Sequence, residues 1–292
     1  MKQALCISSL AIALAAANVS IAVAATKVGV NAAIRNKVET QTDTDKVLRP
    51  AVPRGDVHLG DLVVSGQQSA LQMLLLDQSV FTVGANARMK IDRFVYDPNK
   101  GTTDISASIA KGAFRFMSGR LIPGAGREAI RTPVATIGVR GTIVEGAVGQ
   151  DAIDVMAGEP GIPALTGDPN DAVLILLSGP GTGSRGFDKP GAIDITNSNT
   201  TTEIGHGGNA MLFLPGQPLF GPFKLSDAAY SRLTALLNPK PGQGEAGGPD
   251  VGSATVGSGD ILDIGNFDGQ FLTDPQNIDL PLALECRGPK CP

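Results

Sequence analysis

The sequence predicts a mainly β protein, a β-sandwich or β-roll of many short strands, with one C-terminal helix and a Gly/Pro-rich acidic tail. Strand-like apolar runs recur about every ten residues between 55 and 145, with turn residues between them. Apolar and polar positions alternate there, which indicates a sheet packed on one side. The chain has 37 glycines, no tryptophan and 4% aromatic residues, yet 42% of it is hydrophobic. This composition is typical of short strands around an aliphatic core.

The N-terminus has the pattern of a cleavable signal peptide over residues 1–24. Lys2 precedes an apolar run from Ala4 to Ala17, and a small-residue site, Ala22-Val23-Ala24-Ala25, follows. The run is shorter than the about 20 residues that a membrane span needs. We therefore expect a periplasmic or secreted protein that begins at Ala25, with no membrane span in the mature chain. The alternative is a buried N-terminal helix.

Charge is unevenly distributed along the chain. The whole sequence has 24 basic and 28 acidic residues, a net charge of −4. Residues 51–145 carry 11 basic and 8 acidic groups (+3), whereas residues 146–292 carry 7 basic and 17 acidic groups (−10). The two parts are expected to have different surfaces and partners. Nucleic acid is not expected, because the chain is exported and no basic stripe is interleaved with aromatics.

Two cysteines remain once the signal peptide, with Cys6, is removed. Cys286 and Cys291 are predicted to form a disulfide, since paired cysteines in an oxidising compartment favour one. Free thiols and a metal site are the alternatives. A metal site would need two further ligands, and the only histidines, His58 and His206, are far away in sequence.

Two strings of residues resemble a known family. They are KGAFRFMSG at 111–119 and IRTPVATIGVRGT at 130–142, and together they resemble the FecR domain, a periplasmic module named for a regulator of iron uptake. The resemblance extends over about residues 55–145. The motif residues are Gly112, Phe114, Arg115, Gly119, Thr132, Pro133, Gly138, Arg140, Gly141 and Thr142.

The resemblance implies a β domain but not the whole architecture of the founding regulators. The resemblance implies that in the founding regulators a cytoplasmic anti-sigma segment and one membrane helix precede the periplasmic domain. Here a predicted signal peptide stands in place of those two parts. The predicted organisation, in order, is signal peptide 1–24, polar lead-in 25–52, FecR domain 53–146, β extension 147–222, amphipathic helix 223–238 and flexible acidic tail 239–292.

The amphipathic helix has clear start and stop signals. Ser226 is a good N-cap, Leu233 and Leu237 fall at helical spacing, and Asn238-Pro239 ends the pattern.

No motif predicts catalysis, a cofactor or a metal site. A G-x-G-x-x-G string at 181–186 is followed by helix-breaking residues, so it is expected to be a loop and not a dinucleotide site. A G-x-S-x-G nucleophile motif is absent from the sequence. The two histidines are expected to be surface residues, and the tail aspartates match no calcium-binding spacing.

A run of basic residues is the candidate anion-binding surface. Its members are Lys111, Arg115, Arg120, Arg127, Arg131 and Arg140. The alternative is a scattered, solvated face. Arg140 is expected either to fix a strand corner or to bind the carboxylate of a partner.

The first functional hypothesis is a non-catalytic binding or scaffolding module of the bacterial envelope, with an envelope protein or an anionic envelope polymer as its partner. The second is a periplasmic signalling or regulatory component that acts through a membrane partner. The third, an enzyme acting on envelope polysaccharide, has no support from the residues, although paired carboxylates from distant strands remain open.

Overall fold

The computed structural model describes residues 25–119, 126–162, 167–179, 191–198, 200–215 and 217–241. Within these ranges the chain forms seventeen strands, two α-helices and one 3-10 turn, so the prediction of a mainly β protein is confirmed. The first nine strands are β1 (Lys27–Arg35), β2 (Val38–Gln41), β3 (Arg49–Pro50), β4 (Asp56–His58), β5 (Leu62–Ser65), β6 (Ala70–Leu75), β7 (Val80–Val83), β8 (Arg88–Asp97) and β9 (Thr102–Met117). The others are β10 (Gly126–Arg131), β11 (Thr136–Arg140), β12 (Ile143–Val148), β13 (Val173–Leu177), β14 (Ala192–Asn197), β15 (Thr200–Ile204), β16 (Asn209–Phe213) and β17 (Phe220–Lys224). The helices are α1 (Gln150–Met156) and α2 (Asp227–Leu237), and the 3-10 turn is Pro169–Asp171.

The strands form two sheets that face each other. The central sheet has the order β4-β1-β6-β7-β9-β12-β13-β16-β17, and all its pairs are antiparallel. The outer sheet has the order β3-β2-β5-β8-β9-β10-β11-β14-β15, in which only the β9–β10 pair is parallel. Strand β9 belongs to both sheets.

A glycine lets β9 pass from one sheet to the other. Residues 102–111 pair within the outer sheet and residues 112–117 within the central sheet. Gly112, at the junction, has φ +85°, and a Cβ there would lie 2.2 Å from the Cα of Ala87. Both the positive φ and the close backbone approach require glycine at this position.

In the described part of the chain, three layers enclose two large hydrophobic cores, and a small cluster of Val80, Met117 and Ile143 lies apart from them. The larger core fills the space between the sheets, with Phe81, Phe114 and Phe116 from the central sheet and Ile91 and Ile137 from the outer sheet. A fully buried side chain of this size contributes about 1.5–3 kcal/mol. The second core lies on the other face of the central sheet, under α1 and α2. The outer sheet is therefore buried on one face, as predicted, whereas strands such as β12 and β13 in the central sheet are buried on both.

The predicted C-terminal helix is confirmed as α2. The Ser226 hydroxyl accepts a hydrogen bond from the backbone N–H of Ala229 at 3.1 Å, as an N-cap residue should. Ala229, Leu233 and Leu237 are buried against the central sheet. None of the helices in the described residues is long and apolar enough to cross a membrane.

Helix α1 differs from expectation, because the sequence around 148–156 looks like a further strand. Gly149, with φ +80°, ends β12, and a seven-residue helix follows. Its buried residues, Ala152, Val155 and Met156, recur at helical spacing and pack on the central sheet. Short apolar runs of this kind do not distinguish strand from helix by pattern alone.

The stretch at 25–52, expected to be a polar lead-in, is part of the sandwich. Strand β1 lies between β4 and β6 in the central sheet, and β2 lies beside β5 in the outer sheet. The partners of β1 lie well downstream in the sequence, which is why local pattern does not reveal it. Several predictions lie outside the described residues and stay predictions: the signal peptide, most of the acidic tail, the loop at 181–186 and the disulfide between Cys286 and Cys291. Arg120 also lies outside them.

Candidate functional site

The TPVA string of the FecR-like motif forms the tight turn between β10 and β11. The Thr132 hydroxyl accepts from the backbone N–H of Ala135 at 3.1 Å and donates to its carbonyl at 3.0 Å, and the Thr132 N–H donates to the same carbonyl at 2.8 Å. Pro133 is exposed within this turn. The TPVA segment is thus a closed hairpin turn that brings Arg131 and Pro133 to the solvent side of the outer sheet.

The remaining motif residues have mainly structural positions. Phe114 is fully buried between the sheets, and Gly119 lies against the backbone of Asp77, where a Cβ would be 2.2 Å from the Asp77 carbonyl oxygen. Gly138 lies within β11, Gly141 turns the chain at φ +61°, and Thr142 is buried at the start of β12.

Arg115 forms a buried ion pair and not a surface contact. It lies on the helix-facing side of the central sheet, opposite Glu145 on the neighbouring strand β12. Its Nε donates to Glu145 Oε1 at 2.7 Å, and the two side chains are only 8% and 2% exposed. Arg115 is therefore committed to an internal partner.

The six basic residues that the sequence groups together do not share one face. Arg115 lies inside, Arg120 is outside the described residues, and Lys111, Arg127, Arg131 and Arg140 are exposed on the outer sheet. Arg127 and Arg140 lie opposite each other at one end of β10 and β11, whereas Arg131 lies at the other end.

The structure instead gathers a different set of cations around one groove. Lys90, Ser108 and Arg131 lie side by side across β8, β9 and β10, and Arg88 lies opposite Lys111. The groove has a volume of about 320 Å³. Its lining, which we call the basic groove, consists of Leu62, Arg88, Met89, Lys90, Ser108, Ile109, Ala110, Arg131, Thr132 and Pro133.

The basic groove combines the accessible apolar side chains of Leu62, Ala110 and Pro133 with cations that have spare hydrogen-bonding capacity. In the part of the chain that the structure describes, no hydrogen bond or ion pair engages the side chains of Arg88 and Arg131. Lys90 is partly neutralised, since its Nζ lies 3.6 Å from Asp43 Oδ1. Lys46 and, to a smaller degree, Lys90 hold the pKa of Asp43 below its usual value. Asp92 accepts from the Ser108 hydroxyl at one side of the groove. An acidic group next to an apolar one would find complementary partners here.

Arg140 lies at the other end of the outer sheet and already has two carboxylates. Its Nη2 lies 3.1 Å from Asp194 Oδ1 on β14 and 2.6 Å from Glu203 Oε2 on β15. The hydrogen bond to Glu203, with the charges of both acids, raises the pKa of Arg140. The residue thus joins three strands at the surface, and its side chain is 53% exposed.

We expect Arg140→Ala to lower the free energy of unfolding by less than about 1 kcal/mol, because exposed ion pairs contribute little. Chemical denaturation followed by circular dichroism measures this, with Asp194→Asn as the matched control that removes one of the two partners. A loss of about 3 kcal/mol or more would contradict a surface role.

The described histidines show no catalytic arrangement. His58 Nδ1 lies 3.6 Å from Asp61 Oδ2, and the same oxygen accepts the His58 backbone N–H at 2.8 Å, so the pair closes a turn. His206 lies in the turn before β16. Within the described ranges, no three His, Cys, Asp or Glu side chains come together in a way that could hold a metal ion.

The described strands thus form a two-sheet β domain, a β-sandwich, with a cationic groove on the solvent-facing side of its outer sheet. Residues 61–159 match the family model for FecR protein, and the chain therefore contains a FecR domain. The match includes β5 to β12 and α1, and with them all the lining residues of the basic groove.

The comparison with solved structures gives a weaker likeness. Two crystal structures of a protein from Parabacteroides distasonis ATCC 8503, proposed to be an anti-sigma factor, align with a TM-score of 0.35 and 11% sequence identity. The alignment covers 55% of this chain and 57% of that one, so the chain spans little more than half of that protein's length. A TM-score this low carries no conclusion about fold or function. No curated protein sequence matches the chain at a significant level.

Proposed function

We propose that this chain is a non-catalytic regulatory component of the bacterial envelope, which acts by binding a partner protein through the basic groove. The observation that carries the proposal is that the groove is built from the FecR domain itself, including Arg131, Thr132 and Pro133 of its motif. The FecR domain takes its name from a regulator, which favours a regulatory role over a passive scaffold. The signal-peptide pattern favours a periplasmic location and a partner that reaches the membrane.

The shape of the outer sheet favours a protein segment over a repeating anionic polymer. A polymer would need a long, continuous track of cations. Here the cations of the groove are interrupted by Asp92, and further along the sheet by the Arg93–Asp104 pair at 2.8 Å and by Asp194 and Glu203. A short groove with Leu62, Ala110 and Pro133 in its lining instead suits one or two acidic side chains flanked by apolar ones.

The non-catalytic part of the proposal follows from the chemistry of the surface. A nucleophile, a base and a group that orients the base must lie within hydrogen-bonding reach of one another. In the regions that the structure describes, no serine, threonine or cysteine side chain is hydrogen-bonded to His58 or His206. In the groove, the Ser108 hydroxyl donates to Asp92, but neither histidine is among the lining residues that could complete a catalytic set.

The test is a photocrosslinking experiment in the native bacterium. A photocrosslinking amino acid replaces Ser108 in the full chain, and adducts are collected from the cell envelope. We expect a crosslinked protein adduct whose yield falls at least about tenfold in the double variant Arg88→Ser/Arg131→Ser, because the loss of even one charge-assisted hydrogen bond, about 1.5 kcal/mol, weakens binding about tenfold. Arg93→Ser is the matched control, since it removes an exposed arginine of the same strand that already pairs with Asp104.

Two results would count against the proposal. An adduct whose yield is the same in the double variant would mean that the groove is a solvated face. An adduct that disappears on treatment with glycan hydrolases, and not with proteases, would identify a polymer as the partner and favour the scaffolding function.

A further inference from the structure

A cluster of buried oxygen atoms lies between the two sheets, away from the basic groove. It is formed by Asp77, Thr103, Ser118 and Glu128, which we call the carboxylate cluster. Asp77 opens the turn between β6 and β7, and Ser118 follows β9, so both come from the central sheet. Thr103 and Glu128 come from β9 and β10 of the outer sheet. Their exposed fractions are between 2% and 6%, so the cluster is shielded from solvent.

Each of the two carboxylates accepts hydrogen bonds at one of its oxygens. Its other oxygen has no donor among the described residues. Asp77 Oδ1 accepts from the Ser79 hydroxyl at 2.7 Å and from the Ser79 N–H at 3.2 Å. Glu128 Oε2 accepts from the Ser118 hydroxyl, which in turn accepts the Thr142 N–H at 3.2 Å. Among the described residues, Asp77 Oδ2, Glu128 Oε1 and the Thr103 hydroxyl are buried and make no hydrogen bond of normal geometry.

The two acids are close enough to affect each other. Burial, with the charge of Asp77 as a second cause, raises the pKa of Glu128 to about 8, although the Ser118 hydroxyl opposes the shift. Burial also raises the pKa of Asp77, and the hydroxyls of Ser79 and Thr103 oppose it. The geometry also places these residues together: Gly119, next to Ser118, lies against the Asp77 backbone, and Ser118 is hydrogen-bonded to Glu128. Thr103 pairs with Gly126, two residues before Glu128 on the neighbouring strand.

Free, buried carboxylate oxygens without donors are costly, because a charge removed from water needs a partner. A proton on Glu128 would remove one of the two charges, but it would leave Asp77 Oδ2 without a donor among the described residues. A divalent cation would give both acids a partner, because it supplies two positive charges to two carboxylates and accepts the hydroxyl oxygen as a neutral ligand.

We propose that the carboxylate cluster is a calcium site, with Asp77 Oδ2, Glu128 Oε1 and Thr103 Oγ1 as its side-chain ligands. The ligands are all oxygen, which suits a hard cation and excludes the nitrogen and sulfur sets typical of zinc or copper. Calcium suits a dry site better than magnesium does, since magnesium gives up its water ligands reluctantly and requires octahedral geometry. Water and backbone carbonyls would complete the coordination, because only two carboxylates are present.

The site would fasten the two sheets together at one end of the sandwich, where the chain passes from β9 to β10. It is independent of the basic groove and of the proposed function. In the periplasm, which exchanges small ions with the medium, occupancy would follow the external calcium concentration.

The test uses the full chain and calcium chloride as the probe. At pH 7.5, about 5 mM CaCl₂ is expected to raise the midpoint of thermal unfolding by about 3–5 °C relative to EDTA, as binding to the folded state alone requires. Glu128→Gln retains the side-chain volume and is expected to abolish the calcium-induced rise in the unfolding midpoint. Asp77→Asn and Thr103→Val are expected to reduce that rise. Asp104→Asn is the matched control, an exposed acid adjacent to Thr103 that should respond as the unchanged protein does.

Isothermal titration of CaCl₂ into the unchanged protein gives a direct measurement that does not depend on how the variants fold. One calcium ion per chain, lost in Asp77→Asn or Glu128→Gln, supports the site. No heat of binding together with no thermal shift overturns it, as does a thermal response that all three cluster variants retain.

Discussion

Glu145→Ala is expected to lower the free energy of unfolding by about 3–5 kcal/mol, the largest effect of any single substitution proposed for this protein. Glu145 pairs with Arg115 in the middle of the central sheet, and its side chain is only 2% exposed. Removing the carboxylate leaves the guanidinium charge buried without its partner. Chemical denaturation of the full chain, followed by circular dichroism, measures the loss.

The matched control is the double variant Arg115→Met/Glu145→Leu, which replaces both charges by apolar side chains of similar volume. Its stability is expected to equal or exceed that of the unchanged protein, since a buried ion pair seldom outweighs the cost of removing two charges from water. If Glu145→Ala cost less than about 1 kcal/mol, the pair would have to be hydrated in solution.

Stability is also expected to fall as the pH rises from about 5 to about 9 in metal-free buffer. The pKa of Glu128 is raised from 4.5 to about 8 by burial and by the charge of Asp77, so the folded chain holds this proton more tightly than the unfolded chain does. The stabilisation is complete below the unfolded pKa and is lost as the pH passes through the folded pKa. A shift of this size corresponds to about 3–5 kcal/mol. Asp77, Asp61 and Asp151, whose pKa values burial also raises, contribute in the same direction.

Denaturation curves at several pH values, in EDTA, measure the slope. Glu128→Gln retains the acceptor for the Ser118 hydroxyl and is expected to flatten the dependence and to be the more stable form at pH 9. Glu203→Gln, at the surface, should keep the full slope. A Glu128→Gln variant with an unchanged slope would show that Glu128 is ionised in the folded protein at neutral pH.

Local pattern predicts some parts of this fold well. The strands of the outer sheet alternate between buried and exposed residues, as in β8 and β11, and such alternation is visible in sequence. Helix α2 has a capping serine and a regular apolar face. Pattern fails for β1, because its stability comes from β4 and β6, which lie far along the chain, and for α1, because seven residues are too few to establish a helical period.

The basic groove, like β1, depends on contacts between strands that local sequence pattern does not show. Its cations come from β8 and β10, and only the register across β9 brings Lys90 and Arg131 to the same side. Grouping by position in the chain places Arg131 in the run of basic residues at 111–140, and this candidate surface does not include Arg88 and Lys90. The signal that could have found them is the alternation along β8, which places Arg88 and Lys90 on the solvent-facing side while Met89 and Ile91 face the core.

The sheet orders have a consequence for the size of the smallest piece of chain that can fold. The residues that match the FecR family begin at 61 and end at 159. A fragment with these bounds would lack β1 and β2, which pair with β6 and β5, and also β13 and β14, which pair with β12 and β11. It would therefore expose four strand edges, two of them on the almost fully buried strands β6 and β12, and bare edges of this kind promote aggregation. The cooperative folding unit runs from β1 to α2, well beyond the boundaries by which the domain is recognised.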